Sequence, residues 1–167
     1  MLQLRRPCGR KGEGMRGIAT SLRGPRLWLL AAALLAAACT EFDPKANEAA
    51  EALARGELDR ARELYRTGAD VDAVFEDGYT ALIMAAGEGS VEVVRLLLAL
   101  GANPDVQATN GNSAMIVAAT RGRFEVVRAL AEAGANPRLV NHAGETALTA
   151  ASSRGYEAIA GLLADPG

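Results

Sequence analysis

From about residue 45 onward the apolar positions fall in short bursts separated by glycine, and the bursts come in pairs. One member of each pair is alanine-rich, as in Ala81-Leu-Ile-Met-Ala-Ala86, Ala114-Met-Ile-Val-Ala-Ala119 and Ala147-Leu-Thr-Ala-Ala151. The other follows the next glycine and carries larger groups: Val91, Val93, Val94, Leu96, Leu97 and Leu98 in one case, Phe124, Val126, Val127 and Leu130 in the next. Each pair reads as two short helices and a turn. Thr80, Ser113 and Thr146 stand just before the alanine-rich segments, where a hydroxyl caps the free N–H groups of a first helix. Asn47 takes the same phase in a degenerate leading unit. The second helices end at Gly68, Gly101 and Gly134, which enter the left-handed conformation at little cost.

The pattern has a fixed period. Gly78, Gly111 and Gly144 are spaced by 33 residues, as are Gly56, Gly89, Gly122 and Gly155, and as are Gly68, Gly101, Gly134 and Gly167. Self-similarity at this interval marks a stacked array of supersecondary units. Helices of eight to ten residues are marginal alone, so each unit needs its neighbours.

These residues resemble ankyrin repeats. The family pattern is matched by Gly78, Thr80, Leu82, Ala85, Ala86, Gly89, Glu92-Val93-Val94, Leu96-Leu97-Leu98 and Gly101-Ala102-Asn103, and the resemblance extends over roughly residues 45–167. It implies an all-α repeat solenoid of stacked helix-turn-helix units joined by β-hairpin-like loops. About four units are expected, near 43–74, 75–107, 108–140 and 141–167. The family's Thr-Pro-Leu-His tetrapeptide is replaced by Thr80-Ala-Leu-Ile83, Ser113-Ala-Met-Ile116 and Thr146-Ala-Leu-Thr149. Without that histidine and its hydrogen bonds, stacking must lean on apolar contact. The outer units, with Glu48, Glu51, Glu57, Asp59 and Glu63 in the first, read as solvent-tolerant caps.

The amino-terminal region follows another rule. Residues 27–38 are an uncharged apolar run of 12 behind a basic stretch, which is the layout of a secretory signal peptide. Such a run is about 18 Å long as a helix, short of a hydrocarbon core of roughly 30 Å. Residues 1–38 are therefore read as a leader, and Met15 would open one of more ordinary length. The run stops at Ala36-Ala37-Ala38-Cys39-Thr40, which resembles the lipobox of bacterial lipoproteins, although Ala36 stands where that family prefers Leu. The resemblance implies cleavage before Cys39, acylation of its thiol, a short linker over 39–44, and an exported, periplasmic protein held on a membrane. Thr40 after the cysteine points to the outer membrane. The competing reading is ordinary cleavage that leaves a soluble protein.

Charge divides along the same line. Residues 1–38 carry seven basic groups against Glu13, or +6, and residues 39–167 carry 11 basic against 19 acidic groups, or −8, which together give the chain's −2. A domain at −8 has no footprint for a phosphate backbone, so no nucleic acid is expected, and a partner with a basic patch suits it better. Membrane attachment is expected only through Cys39. With two cysteines, Cys8 and Cys39, and one histidine, His142, neither a disulfide framework nor a metal or cofactor site is expected. Met84 and Met115, in consecutive first helices, read as a core stripe.

Ankyrin arrays hold protein partners on a face formed by hairpin tips and first helices. Carried onto this chain, that face comprises Phe75, Glu76, Asp77 and Tyr79, then Thr109, Asn110 and Asn112, then His142, Ala143 and Glu145. The ends of the first helices add Arg55, Glu88, Arg121 and Arg154. Phe75 and Tyr79 are either anchors for a partner or packing groups. The expected function is non-catalytic protein–protein binding by a monomer. Alternatives are an immunity-like or inhibitory subunit that blocks a neighbouring protein, and a carboxylate-based hydrolase using Asp72, Asp77 and Asp105.

Overall fold

The structure is a computed structural model that describes residues 43–164; the leader, Cys39 and most of the 39–44 linker lie outside the described residues. Among the described residues eight α-helices follow in chain order: α1 (Pro44–Ala54), α2 (Leu58–Arg66), α3 (Ala81–Glu88), α4 (Val91–Ala99), α5 (Ala114–Thr120), α6 (Phe124–Glu132), α7 (Ala147–Ser153) and α8 (Glu157–Ala164). Among the described residues the only β pairing is two isolated antiparallel bridges, Val74 with Thr80 and Gln107 with Ser113. No described helix is long and apolar enough to cross a membrane.

The caps fall where the hydroxyls predict. Thr80 accepts from the Ile83 N–H at 3.3 Å, Ser113 from the Ile116 N–H at 3.4 Å, and Thr146 from the Thr149 N–H at 3.2 Å. Thr149 returns the bond to the Thr146 N–H at 2.8 Å, which completes a capping box. The leading unit differs. Its first helix begins at Pro44 and is capped by Asp43, so Asn47 lies one turn inside α1 and bonds to Glu51 instead. Proline at the first helical position is pre-set for this start and needs no N–H partner.

First helices stack on first helices and second on second: α3 packs on α5 and α5 on α7, while α4 packs on α6 and α6 on α8. Close approach is permitted because Ala85, Ala86, Ala118, Ala119, Ala150 and Ala151 are all buried. The second helices supply the bulk. Val94, Leu97, Val127, Leu130 and Ile159 are almost wholly enclosed and join one cluster reaching from Ala49 to Leu163. Ile83 and Ile116, standing where the family has histidine, are each 1% exposed. At about 2 kcal/mol for each enclosed aliphatic side chain, apolar burial replaces the histidine network.

One expectation about particular residues changes. Met84 and Met115 are 31 positions apart, not 33, so the equivalent of Met84 is Val117. Met84 is 38% exposed on α3, while Met115 is buried. The acidic leading unit is ion-paired both within and between its helices: Arg55 meets Glu51 and Arg62 meets Asp59 within their helices, while Arg60 of α2 reaches Glu48 of α1.

Candidate binding face

Three tips project between successive units, and each closes on itself by a backbone hydrogen bond. Phe75 donates to the Tyr79 carbonyl at 2.8 Å, Ala108 to Asn112 at 3.0 Å, and Asn141 to Glu145 at 3.0 Å. The first reversal passes through Asp77 at φ 56° and Gly78 at φ 77°. Aspartate is among the few residues that tolerate this region. Neighbouring tips are then tied together. The Thr109 N–H donates to the Asp77 carbonyl at 2.9 Å, and the His142 N–H to the Asn110 carbonyl at 3.0 Å.

This clasp explains two of the glycines. A Cβ on Gly78 would sit 2.7 Å from the Thr109 nitrogen, and one on Gly111 would sit 2.8 Å from the His142 nitrogen. Both neighbours are backbone and cannot swing away. Gly144 shares the left-handed φ but has open space around it.

Polar side chains reinforce the row. Asn141 Nδ2 donates to Asn112 Oδ1 at 2.9 Å, and Gln107 Nε2 bridges to the carbonyls of Gly111 at 2.6 Å and Val140 at 3.0 Å. Asn110 Oδ1 accepts from the Asn112 N–H at 3.0 Å, while its amide reaches the Tyr79 hydroxyl at 3.4 Å. What remains directed outward is Glu76, Asp77, Thr109, Asn110, His142 and Ala143, all exposed.

Most of the other candidates are engaged within the chain. Phe75 and Tyr79 are half-buried and pack against the core, so both serve as packing groups with one edge accessible. Asn112 is half-buried on Asn141. Arg154 lies 3.6 Å from Glu145, and Arg55 lies 2.8 Å from Glu51. Arg121 lies over Gly87, where an added Cβ would come 2.9 Å from its guanidinium nitrogen. Glu88 is exposed at the end of α3. Met84, exposed on the same helix, is a surface group that sequence reasoning placed in the core. Counting 33 residues back from Val117 would have separated it from Met115.

A second row of bonds joins Asp43, the cap of α1, to the loops that follow the second helices. Asp43 accepts from the Asp70 N–H at 2.9 Å, Asp72 from the Asn103 N–H at 2.9 Å, and Asp105 from the Asn136 N–H at 2.8 Å. Between these steps Asp70, Asn103 and Asn136 each accept from the N–H two residues on, at 3.0 Å. The bond from Asp70 is the chief cause that holds the Asp43 carboxyl below its ordinary value. Asp72 and Asp105, candidates for carboxylate chemistry, thus each bind the backbone of the following unit. Asp77 contributes its carbonyl to the clasp and stands apart from them. Among the described residues no three His, Cys, Asp or Glu side chains gather where they could hold a metal ion.

The architecture is therefore that of a helical repeat scaffold: enclosed alanine and leucine layers inside, a register-locked row of tips outside. Two family models for ankyrin repeats match consecutive stretches, one over residues 48–98 and the other, for three copies, over residues 99–167. The chain belongs to the ankyrin-repeat family, whose members are generally non-catalytic protein-binding modules. No curated protein matches it.

Proposed function

We propose that the chain is an exported, lipid-anchored scaffold that binds another protein through the face made by its hairpin tips and first-helix ends, in the periplasm and on the outer membrane. The observation that carries the binding face is the clasped row of tips. Backbone bonds between Asp77 and Thr109 and between Asn110 and His142 fix the spacing of outward side chains before any partner arrives. Little ordering entropy then remains to be lost on association, which is the advantage of a preorganised surface.

Export and anchoring rest on the leader's apolar run, the cysteine at its end and the following Thr40. Acyl chains contribute about 0.8 kcal/mol per buried CH₂, so two or more hold a protein on a bilayer stably. The net −8 of residues 39–167 favours a partner with a basic patch, chiefly through faster encounter. Affinity capture with the full chain, compared with a Glu76→Arg/His142→Glu variant, tests the face. Both positions are exposed, so the substitutions change the surface without touching the core. A partner retained equally by both chains would refute the tip face.

A further inference from the structure

The three junctions between units share a helix-turn edge, far along each first helix from the tips, and they are not filled alike. At the second junction Arg123 lies across Gly89, its Cδ 2.9 Å from where a Cβ would stand, and its Nε donates to the Gly87 carbonyl at 3.4 Å. At the third junction the Tyr156 ring covers Gly122, 2.7 Å from such a Cβ. The residue at this place in the first junction is Ser90, and a Cβ added to Gly56 would meet nothing within 4 Å. What remains is an open cleft of about 490 Å³ with Leu53, Leu58, Val91 and Val93 among its walls.

The rest of the register shows what chemistry the cleft takes. Thirty-three residues before Gly87, whose carbonyl accepts from Arg123, stands Ala54, which lines the cleft. Thirty-three residues before Arg121 stands Glu88, so a cation at the second junction is replaced by an anion at the first. Glu88 and Glu92 both line the cleft, and neither has an ion-pair partner among the described residues. Arg55 is also on its rim, but its guanidinium is bound to Glu51 at 2.8 Å. The aliphatic walls suit the methylenes of a long side chain and the carboxylates suit its charged end.

We propose that this cleft receives an arginine side chain from a partner protein, in the pose that Arg123 adopts one unit further along. The guanidinium would sit against Glu88 and Glu92 with its stem over Gly56. The proposal rests on the reading of the chain as a binding module, and it uses the first-helix ends at Arg55 and Glu88, not the hairpin tips.

The test is a titration of the isotopically labelled full chain with acetyl-arginine amide, followed by amide chemical shifts. Acetyl-citrulline amide, of the same shape without charge, is the comparison ligand. Saturable shifts at Gly56, Leu58 and Ser90 with arginine, and at least tenfold weaker response to citrulline, are expected. Ser90→Arg supplies the plug from within and should abolish the response. Glu88→Gln/Glu92→Gln should weaken it at least threefold with the fold intact. Equal response to both ligands, or a titration unchanged in either variant, would overturn the proposal. The Glu76→Arg/His142→Glu chain should titrate like the wild type, so loss of partner capture there and failure at the cleft are read separately.

Discussion

Leu97→Ala tests the packing on which the whole stack depends. Leu97 lies in α4, fully enclosed, in the layer where α4 meets both α3 and α6. The substitution removes three carbons, and at about 0.8 kcal/mol for each the lost transfer energy is about 2.4 kcal/mol. A void of roughly 70 Å³, at about 24 cal/mol per Å³, would add about 1.7 kcal/mol where the surroundings do not collapse. Neighbouring helices on two sides limit collapse, so a loss of about 4 kcal/mol is expected, within the usual span of about 2–5 kcal/mol. The assay is urea unfolding followed by far-ultraviolet circular dichroism. With a slope of about 2 kcal/mol per M, the midpoint should fall by about 2 M. Leu98→Ala, at a half-buried position, should lose about half as much. A loss under about 0.5 kcal/mol at Leu97 would refute the phase assigned to α4. An unchanged slope would show that the array still unfolds as a unit rather than shedding one repeat.

The two tip glycines offer a matched pair: Gly111→Ala meets the His142 backbone and should cost about 2 kcal/mol more than Gly144→Ala, which suffers only its positive φ; equal losses in the same melts would refute the clasp. Burial, with the charge of Asp70 adding to it, pushes the Tyr65 phenol up from 10.0 to about 12. The fold holds the neutral phenol, so its contribution is complete below pH 10 and is lost as pH rises from 10 toward 12. Wild type should then lose on the order of 2 kcal/mol relative to Tyr65→Phe between pH 9 and 12, and parallel profiles would contradict this. Cys39→Ser should abolish fatty-acid labelling and leader cleavage at that site, and unchanged membrane fractionation would sink the lipid anchor.

Most of the fold was legible because the 33-residue period repeats the burial pattern along with the residues. Leu97, Leu130 and Leu163 are buried in register, and Thr80, Ser113 and Thr146 cap where their spacing places them. The start of the first helix was harder to read. Asn47 matched the phase, but Asp43-Pro44 is the stronger start, and it gains further from the bond that Asp43 receives from the Asp70 N–H. The bond series from Asp72 to Asn103 and from Asp105 to Asn136 was hidden for another reason: its partners are 31 residues apart and meet only once the units stack. Site residues were legible as positions but not as roles. The tip positions Glu76, Asn110 and His142 do face outward, whereas Arg154, Asn112 and Phe75 are engaged by Glu145, Asn141 and the core. The open cleft at Ser90 was in principle readable by setting Glu57, Ser90, Arg123 and Tyr156 side by side.

Binding through the tips is the central claim, and site-specific photocrosslinking in living cells tests it directly. A photoreactive residue at position 76 or 142 of the full chain should capture one discrete partner. The same residue at position 128, exposed on the second helix α6, should capture none. A discrete adduct from position 128 with none from either tip position would contradict the account.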